Sequence, residues 1–487
     1  MHIEVKSGKG KGLISLIPIV ALVAMLALNI NIFGSDAILG ASQVALLLAA
    51  GLCVWLSMWL FKTPWHDFES AIKNNIGDVT TAIVILLLIG AISGTWMNSG
   101  IVPTFICYGI KIISPKFFLL TACALCAIIS VMIGSSWTTI ATIGVALMGI
   151  GKAEGFSDGL IAGAIISGAY FGDKISPLSD TTVMASSVCG VPLFSHIKNM
   201  MRSTVPSFAV ALIAFTILGF TSGSGDAQNI TLYTDVLHSK FNITPWLLLV
   251  PVVTAIMIAR RLPAIMVLAL STVLACIAGL VFQGDILSEI GGKVCSGPHN
   301  KVIFTGLVES IYNTVGVETG NTEVNALVAS RGMTGMLNTV YLIICAMCFG
   351  GCMRAGGMIK ALTAALVRHL RRKWSAVAAT VTTGTALNGI VSDQYLAILL
   401  TSDIYKDVYS TRGYDPKLLS RSVEDSATVT SPLFPWSSCG MTQATILSVP
   451  TLVYLPFCFF NYISPLMSIV VSIITQKHSG KKNEENS

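Results

Sequence analysis

Charge is what this chain has least of. Only 11% of its 487 residues are Asp, Glu, Lys or Arg, against about a quarter in an ordinary globular domain. So few charges cannot clothe the surface of a soluble molecule of this size. Composition therefore excludes a soluble enzyme, a nucleic-acid binder and a disordered scaffold. Catalytic signatures are also missing, with no HExxH run and no Cys/His nucleophile pair inside an apolar stretch, so a membrane enzyme has nothing to rest on. Nor do the 12 cysteines suggest zinc, because the nearest approach to such a motif, Cys345 and Cys348 on one helix face, has no histidine nearby. Most sit in apolar runs as small hydrophobes.

What is present is apolar. AVILMFWYC residues make up 53% of the chain, its mean hydropathy is +0.76, and 43 glycines supply the small side chains with which membrane helices pack or break. These values describe an all-α polytopic membrane protein. The formal charge of +6 is read as an orientation signal, not as an affinity for nucleic acid.

The run from Leu13 to Phe33 follows Lys6, Lys9 and Lys11 and is too long for a signal peptide, so it is read as a first transmembrane helix with a cytoplasmic N-terminus. Later apolar runs, among them Val79 to Trp96, Phe117 to Gly134, Pro206 to Phe220 and Ala444 to Phe460, bring the expected count to about ten to twelve spans. Basic clusters at Lys62/Lys73, Arg260/Arg261, Arg368/Arg371/Arg372/Lys373 and Lys477/Lys481/Lys482 are assigned to the cytoplasm of a multi-pass plasma (inner) membrane protein. The expected divisions are a first half at 1–220, an external loop at 221–243, linking helices at 244–282, a second external loop at 283–338, a second half at 339–476 and a cytoplasmic tail at 477–487. A loop as long as 283–338 is unusual unless it is functional or disordered.

Two halves resemble one another. Gly94–Gly100 and Gly351–Gly357 lie 257 residues apart, Asp173 and Asp425 lie 252 apart, and Cys189-Gly190 and Cys439-Gly440 lie 250 apart. Polar runs interrupt the apolar ones at matching places. Gly172-Asp-Lys-Ile-Ser-Pro-Leu-Ser-Asp-Thr-Thr182 carries Asp173, Ser176, Ser179, Asp180, Thr181 and Thr182; Glu424-Asp-Ser-Ala-Thr-Val-Thr-Ser-Pro-Leu433 carries Asp425, Thr428, Thr430 and Ser431. The proline in each removes an amide donor and frees carbonyls of the preceding turn. Carboxylates, hydroxyls and freed carbonyls together make an all-oxygen site for a hard cation. Two further interruptions, Gly134–Thr139 and Asn388–Gln394, read as tips of re-entrant hairpins. Arg421, Glu424 and Asp425 fit an ion-pair cluster that merely holds the helix nearly as well as they fit a coupling role.

With Leu87–Trp96, Ser136–Gly151, Gly172–Thr182 and Glu424–Leu433 followed by Pro435-Trp436, the chain resembles the NhaC family of sodium/proton antiporters, over most of the stretch from Val79 to Pro456. The resemblance implies two inverted repeats, with re-entrant hairpins and broken helices in a transport unit beside a scaffold, moving as an elevator, and a homodimer. It also implies that Asp173, Ser176, Ser179, Asp180, Thr181, Thr182, Asn388, Asp425, Thr428, Thr430 and Ser431 hold the transported sodium, with no resident cofactor. A buried carboxylate, Asp173 or Asp180, is then expected to bind sodium or a proton but not both. The same superfamily contains sodium-coupled malate/lactate exchangers; an organic anion would need a cationic clamp, for which Lys174, Arg354 and Arg421 are the candidates.

Overall fold

The computed structural model describes residues 14–484 except 34–39, 113, 178, 223–226, 261, 322–323, 326–327, 331, 360 and 362–372. Among the described residues the structure is helices joined by turns and short irregular connections, with one isolated bridge between Val315 and Ser330. The basic groups at Lys6, Lys9 and Lys11 and at Arg368, Arg371 and Arg372 lie outside the described residues.

The first half runs through α1 (Ile17–Phe33), α2 (Ala41–Leu56), α3 (Trp65–Asn98), α4 (Ile101–Ile112) and α5 (Phe118–Ile133). It continues through α6 (Ser136–Thr139), α7 (Val145–Ala153), α8 (Asp158–Ile175), α9 (Asp180–Val188) and α10 (Leu193–Ser222). A linking region follows with α11 (Ala227–Lys240), α12 (Leu249–Ala259), α13 (Ala264–Phe282), α14 (Gly284–Gly292) and α15 (His299–Tyr312). The second half comprises α16 (Leu337–Ala355), α17 (Lys373–Val391), α18 (Gln394–Thr411), α19 (Pro416–Val423), α20 (Ser438–Leu447), α21 (Thr451–Tyr454) and α22 (Phe459–Glu484).

Six helical stretches among the described residues are long and apolar enough to cross a membrane, or up to 8 when each of two bent pairs counts as one span. That falls short of the ten to twelve expected, because the breaks leave α6, α7, α9 and α19 to α21 too short to span, while α8 and α18 are long enough but carry charged residues. Their exposed partners in the long helices, such as Val210, Ile213 and Ile217 on α10 and Val273, Ile277 and Val281 on α13, form apolar faces suited to lipid.

Three expectations change. The run Ala444 to Phe460 is no single span: Ser448 adopts a left-handed conformation (φ 57) after α20, Pro450 precedes α21, and a 3-10 turn at Leu455–Phe457 leads into α22. Hydropathy does not register such breaks. Nor do the two stretches expected to be external loops lack structure. Residues 227–240 are helical, and within 283–338 α14 packs against α15, where Gly291 faces the Val302 carbonyl and Gly306 the Leu287 carbonyl so closely that no Cβ would fit. Backbones touch there because neither residue has a side chain.

The repeat is real but its register is 258 residues. Left-handed positions recur at Gly134 and Ser392, Gly155 and Gly413, and Gly190 and Ser448. The N-caps Ser135 and Asp393, and Ser179 and Ser437, recur at the same spacing. Of the three sequence matches, the first is off by one residue; Asp173 falls opposite Ser431 rather than Asp425, and Cys189-Gly190 opposite Leu447-Ser448 rather than Cys439-Gly440. Hydrogen bonds obey the same register. Ser130 donates to the Ala169 carbonyl at 2.6 Å, and Asn388 donates to the Ala427 carbonyl at 2.7 Å.

In the first half, α5 and α8 make the tightest helix pair. Gly168 lies on the Cys123 carbonyl and Gly172 on the Ala127 carbonyl, so the two backbones close together over one ridge of small residues. This contact fixes the end of α8, where the first polar run begins.

Candidate ion-binding site

Four helix breaks position the polar side chains. The left-handed turn at Gly134 (φ 72) ends α5, and the helix resumes at Ser136, capped by the Ser135 hydroxyl, which accepts from the Thr138 N–H. Its counterpart at Ser392 (φ 60) ends α17, and the Asp393 carboxylate caps α18 by accepting from the Leu396 N–H at 3.0 Å. Both interruptions read as hairpin tips are thus true breaks. The other two separate α8 from α9, and α19 from α20; in the latter a π turn at Glu424–Thr428 and a 3-10 turn at Ser431–Leu433 replace regular helix.

The α5 and α8 breaks meet. Asp173, on the last turn of α8 and buried, accepts from both the N–H (3.1 Å) and the hydroxyl (2.7 Å) of Ser136. One register on, Ser431 donates to the Gln394 side-chain carbonyl at 3.3 Å, so the same pair of positions is joined in the second half without a charge. The carboxylate belongs to one half alone. In the polar run that follows, the Ser179 and Thr181 hydroxyls lie 3.0 Å apart, Thr182 donates to the Lys174 carbonyl at 2.9 Å, and Ser176 donates to the Val131 carbonyl at 2.8 Å.

Asp180 departs from expectation. It opens α9, where a carboxylate complements the positive end of the helix, and it is exposed, not buried. Of the two candidate aspartates only Asp173 is withdrawn from solvent.

The second-half residues form a denser, buried knot. Asn388 donates to the Ala427 carbonyl, to the Ser426 carbonyl (3.4 Å) and to the Thr430 hydroxyl (2.9 Å), while its own Oδ1 has no partner. Thr430 in turn donates to the Ser426 carbonyl at 2.7 Å, and Ser431 to the Thr428 carbonyl at 3.0 Å. Carbonyls of the broken helix are thereby used mostly by neighbouring side chains.

Asp425 is engaged in full. Lys174 forms an ion pair with its Oδ1, Ser464 donates to the same oxygen at 3.1 Å, and Ser203 donates to Oδ2 at 2.9 Å. Arg421 Nε stands 3.8 Å from Oδ2, and its guanidinium also donates to the Ser468 carbonyl and the Ser472 hydroxyl. Lys174, Arg421 and Asp425 are all buried. Of the cations considered as an anion clamp, two are committed to this carboxylate, and the third, Arg354, is exposed.

Two acidic residues outside the expected set belong to the site. Asp393 is buried, caps α18 and accepts from the Ser438 hydroxyl at 3.1 Å, tying α18 to α20. Its signal was its place in the second hairpin tip, Asn388–Gln394. Glu424 is buried, and its Oε1 accepts from the Thr181 hydroxyl at 3.1 Å, a second direct link between the two polar runs beside the Lys174–Asp425 pair. Among the described residues no group of three or more His, Cys, Asp or Glu side chains converges as a site for a resident metal. Hydroxyls, amides and single carboxylates suit a weakly held alkali cation better.

Residues 9–188 and 168–475 match the profile of the Na+/H+ antiporter family. The Na(+)/H(+) antiporter NhaC of Bacillus subtilis is 36% identical over 435 residues, 89% of this chain and 92% of that protein. The protein of that name from Alkalihalophilus pseudofirmus is 37% identical over 409 residues, 84% of this chain and 85% of its own length. A third relative, the Malate-2H(+)/Na(+)-lactate antiporter of Bacillus subtilis, is 34% identical over 409 residues, covering 83% and 84%. Repeated broken helices, buried polar runs at the breaks and these matches along both halves agree: the chain is a multi-pass membrane protein that belongs to the Na+/H+ antiporter family.

Proposed function

We propose that this protein exchanges sodium for protons across the plasma membrane, as its two NhaC relatives are named for doing. The observation that carries this reading is Asp173: a buried carboxylate held by Ser136 at a helix break, at the head of the polar run that carries Ser176, Ser179, Thr181 and Thr182. A carboxylate in such a place takes one cation at a time. Sodium and a proton compete for it, and a protein that reorients only when loaded converts that competition into exchange. Asp180, exposed at the start of α9, serves on this reading as the entry-side partner. Asn388, Thr428, Thr430 and Ser431 supply the second-half wall, and Asp425 neutralises Lys174.

The halves move, on this reading, as inverted repeats whose broken helices form a transport unit sliding against a scaffold, in a homodimer with both termini in the cytoplasm. Commitment of Lys174 and Arg421 to Asp425 leaves no buried clamp for an organic carboxylate, which favours sodium/proton exchange over the malate/lactate chemistry in the third relative's name. The test is a sodium jump across proteoliposomes with a trapped pH dye. Proton movement that Asp173→Asn abolishes supports the reading; a wild type that moves no protons, or one that takes up labelled malate in response to sodium, overturns it.

A further inference from the structure

The two neighbouring acids of the π turn have opposite surroundings. Asp425 receives Lys174, Ser464 and Ser203, with Arg421 beyond, so both of its oxygens are spent. Glu424 receives the Thr181 hydroxyl on Oε1; Oε2 is buried, with the Thr428 side chain nearby but no hydrogen bond of good geometry. Four residues along the same turn the buried Thr428 hydroxyl lies beside this carboxylate, and it too makes no hydrogen bond of good geometry. Lys174 and Asp173 are the charges in whose field Glu424 sits, and the Lys174 ammonium is already bound to Asp425 and Ser464. A buried carboxylate oxygen without donor or cation is costly, and so is a bare hydroxyl beside it. Both are answered by one small cation.

We propose that Glu424 is a direct ligand of the transported alkali cation, with Thr181 and Thr428, and that it takes the coordinating role the motif assigns to Asp425. Thr181 hydrogen-bonds within the first polar run, to Ser179, and across to Glu424 in the second, so this ligand set closes the site between the two halves. All donors are oxygen, as sodium or lithium requires. The inference rests on the sodium/proton reading and names the second carboxylate of that site.

The experiment is sodium-dependent thermal stabilisation of the purified full-length protein in detergent at fixed pH, comparing wild type, Glu424→Gln, Glu424→Asp and Asp425→Asn. Glu424→Gln is expected to fold without sodium much as wild type does, and to need about tenfold more sodium for half of the stabilising shift. Glu424→Asp recovers part of that loss. Asp425→Asn is expected to do the reverse, unfolding at lower temperature without sodium while keeping its sodium midpoint. A Glu424→Gln variant with the wild-type sodium midpoint overturns the assignment, as does one destabilised without sodium and not rescued by Glu424→Asp. Absence of any sodium shift in the wild type overturns the sodium reading itself, and with it this ligand.

Discussion

Lys174 and Asp425 form an ion pair that bridges the two halves of the chain, with neither side chain exposed to solvent. Lys174 follows Asp173 at the end of α8, and Asp425 lies in the π turn after α19, so the pair locks together the two broken helices that carry the site. Removing one partner strands the other in the interior, which costs about 3–5 kcal/mol. Lys174→Met and Asp425→Asn are each expected to lower the unfolding temperature sharply. The double variant Lys174→Met/Asp425→Asn should recover only part of the loss, because it removes both charges of the pair but leaves the buried Arg421 guanidinium without its carboxylate. Thermal unfolding in detergent of the two single variants and the pair forms the double-mutant cycle; additive losses would show that the residues do not act on each other.

Ser136 offers Asp173 two donors, of which the hydroxyl at 2.7 Å is the shorter. Both favour the ionised carboxylate, the form that holds sodium. Ser136→Ala removes one charge-assisted hydrogen bond, worth about 1.5–3 kcal/mol, and should raise the half-saturating sodium concentration by about tenfold or more. Ser136→Thr keeps the hydroxyl and should stay near wild type. Sodium dependence of proton flux in proteoliposomes checks both; an unchanged half-saturation in Ser136→Ala would separate Asp173 from the sodium step.

The architecture was legible in the sequence wherever turn chemistry marks it. Gly134 before Ser135-Ser136, and the prolines at 177 and 432, announce broken helices because their backbone demands cannot be met inside a regular one. The register of the repeat was not legible, since paired Asp and Cys-Gly residues attract the eye while the true counterparts are unlike in chemistry: Gly134 and Ser392, Ser135 and Asp393, Asp173 and Ser431. Polar helices such as α11 escape a search for apolar runs. Adjacent acids pose a harder case. Nothing in the order Glu424-Asp425 says which one meets Lys174, because that depends on the helix face each presents, and the π turn shifts that face by its extra residue.

Glu289 on α14, itself in none of the candidate spans, pairs with Lys240 at the end of α11, at 2.6 Å, and Gln283 clasps the Asn242 backbone through both its side-chain oxygen and nitrogen. Partial burial pushes the Glu289 carboxyl up, but hydrogen bonds from Lys240 and the Glu318 N–H, with the charges of Lys240 and Lys293, outweigh it and hold the group below the usual glutamate range. A carboxyl depressed in the folded state stabilises above its unfolded value and loses that contribution as pH falls through the folded one. Glu289→Gln should therefore cost at most ~1 kcal/mol at neutral pH, the scale of a part-exposed pair. The difference should vanish in acid, below the normal glutamate range, and shrink with added salt. Unfolding of the two proteins across pH tests this, and a gap that persisted in acid would assign the loss to packing.

Gly134 and Ser392 occupy the same left-handed position in the two halves, at φ 72 and φ 60, yet only one has the residue that conformation prefers. A Cβ in this region costs roughly 1–2 kcal/mol. Gly134→Ala should therefore destabilise the first half by about 1 kcal/mol, partly offset by reduced freedom of the unfolded chain. Ser392→Gly should have the smaller effect or stabilise, since it relieves the same strain and deletes a buried hydroxyl that has no partner. Glycine keeps the backbone carbonyl that accepts from the Ser438 N–H at 2.8 Å, but it loosens the second hairpin tip just before Asp393. Measured by thermal unfolding together with sodium-driven proton flux, Ser392→Gly is expected to be at least as stable as wild type but slower in transport; a variant both less stable and fully active would overturn this account.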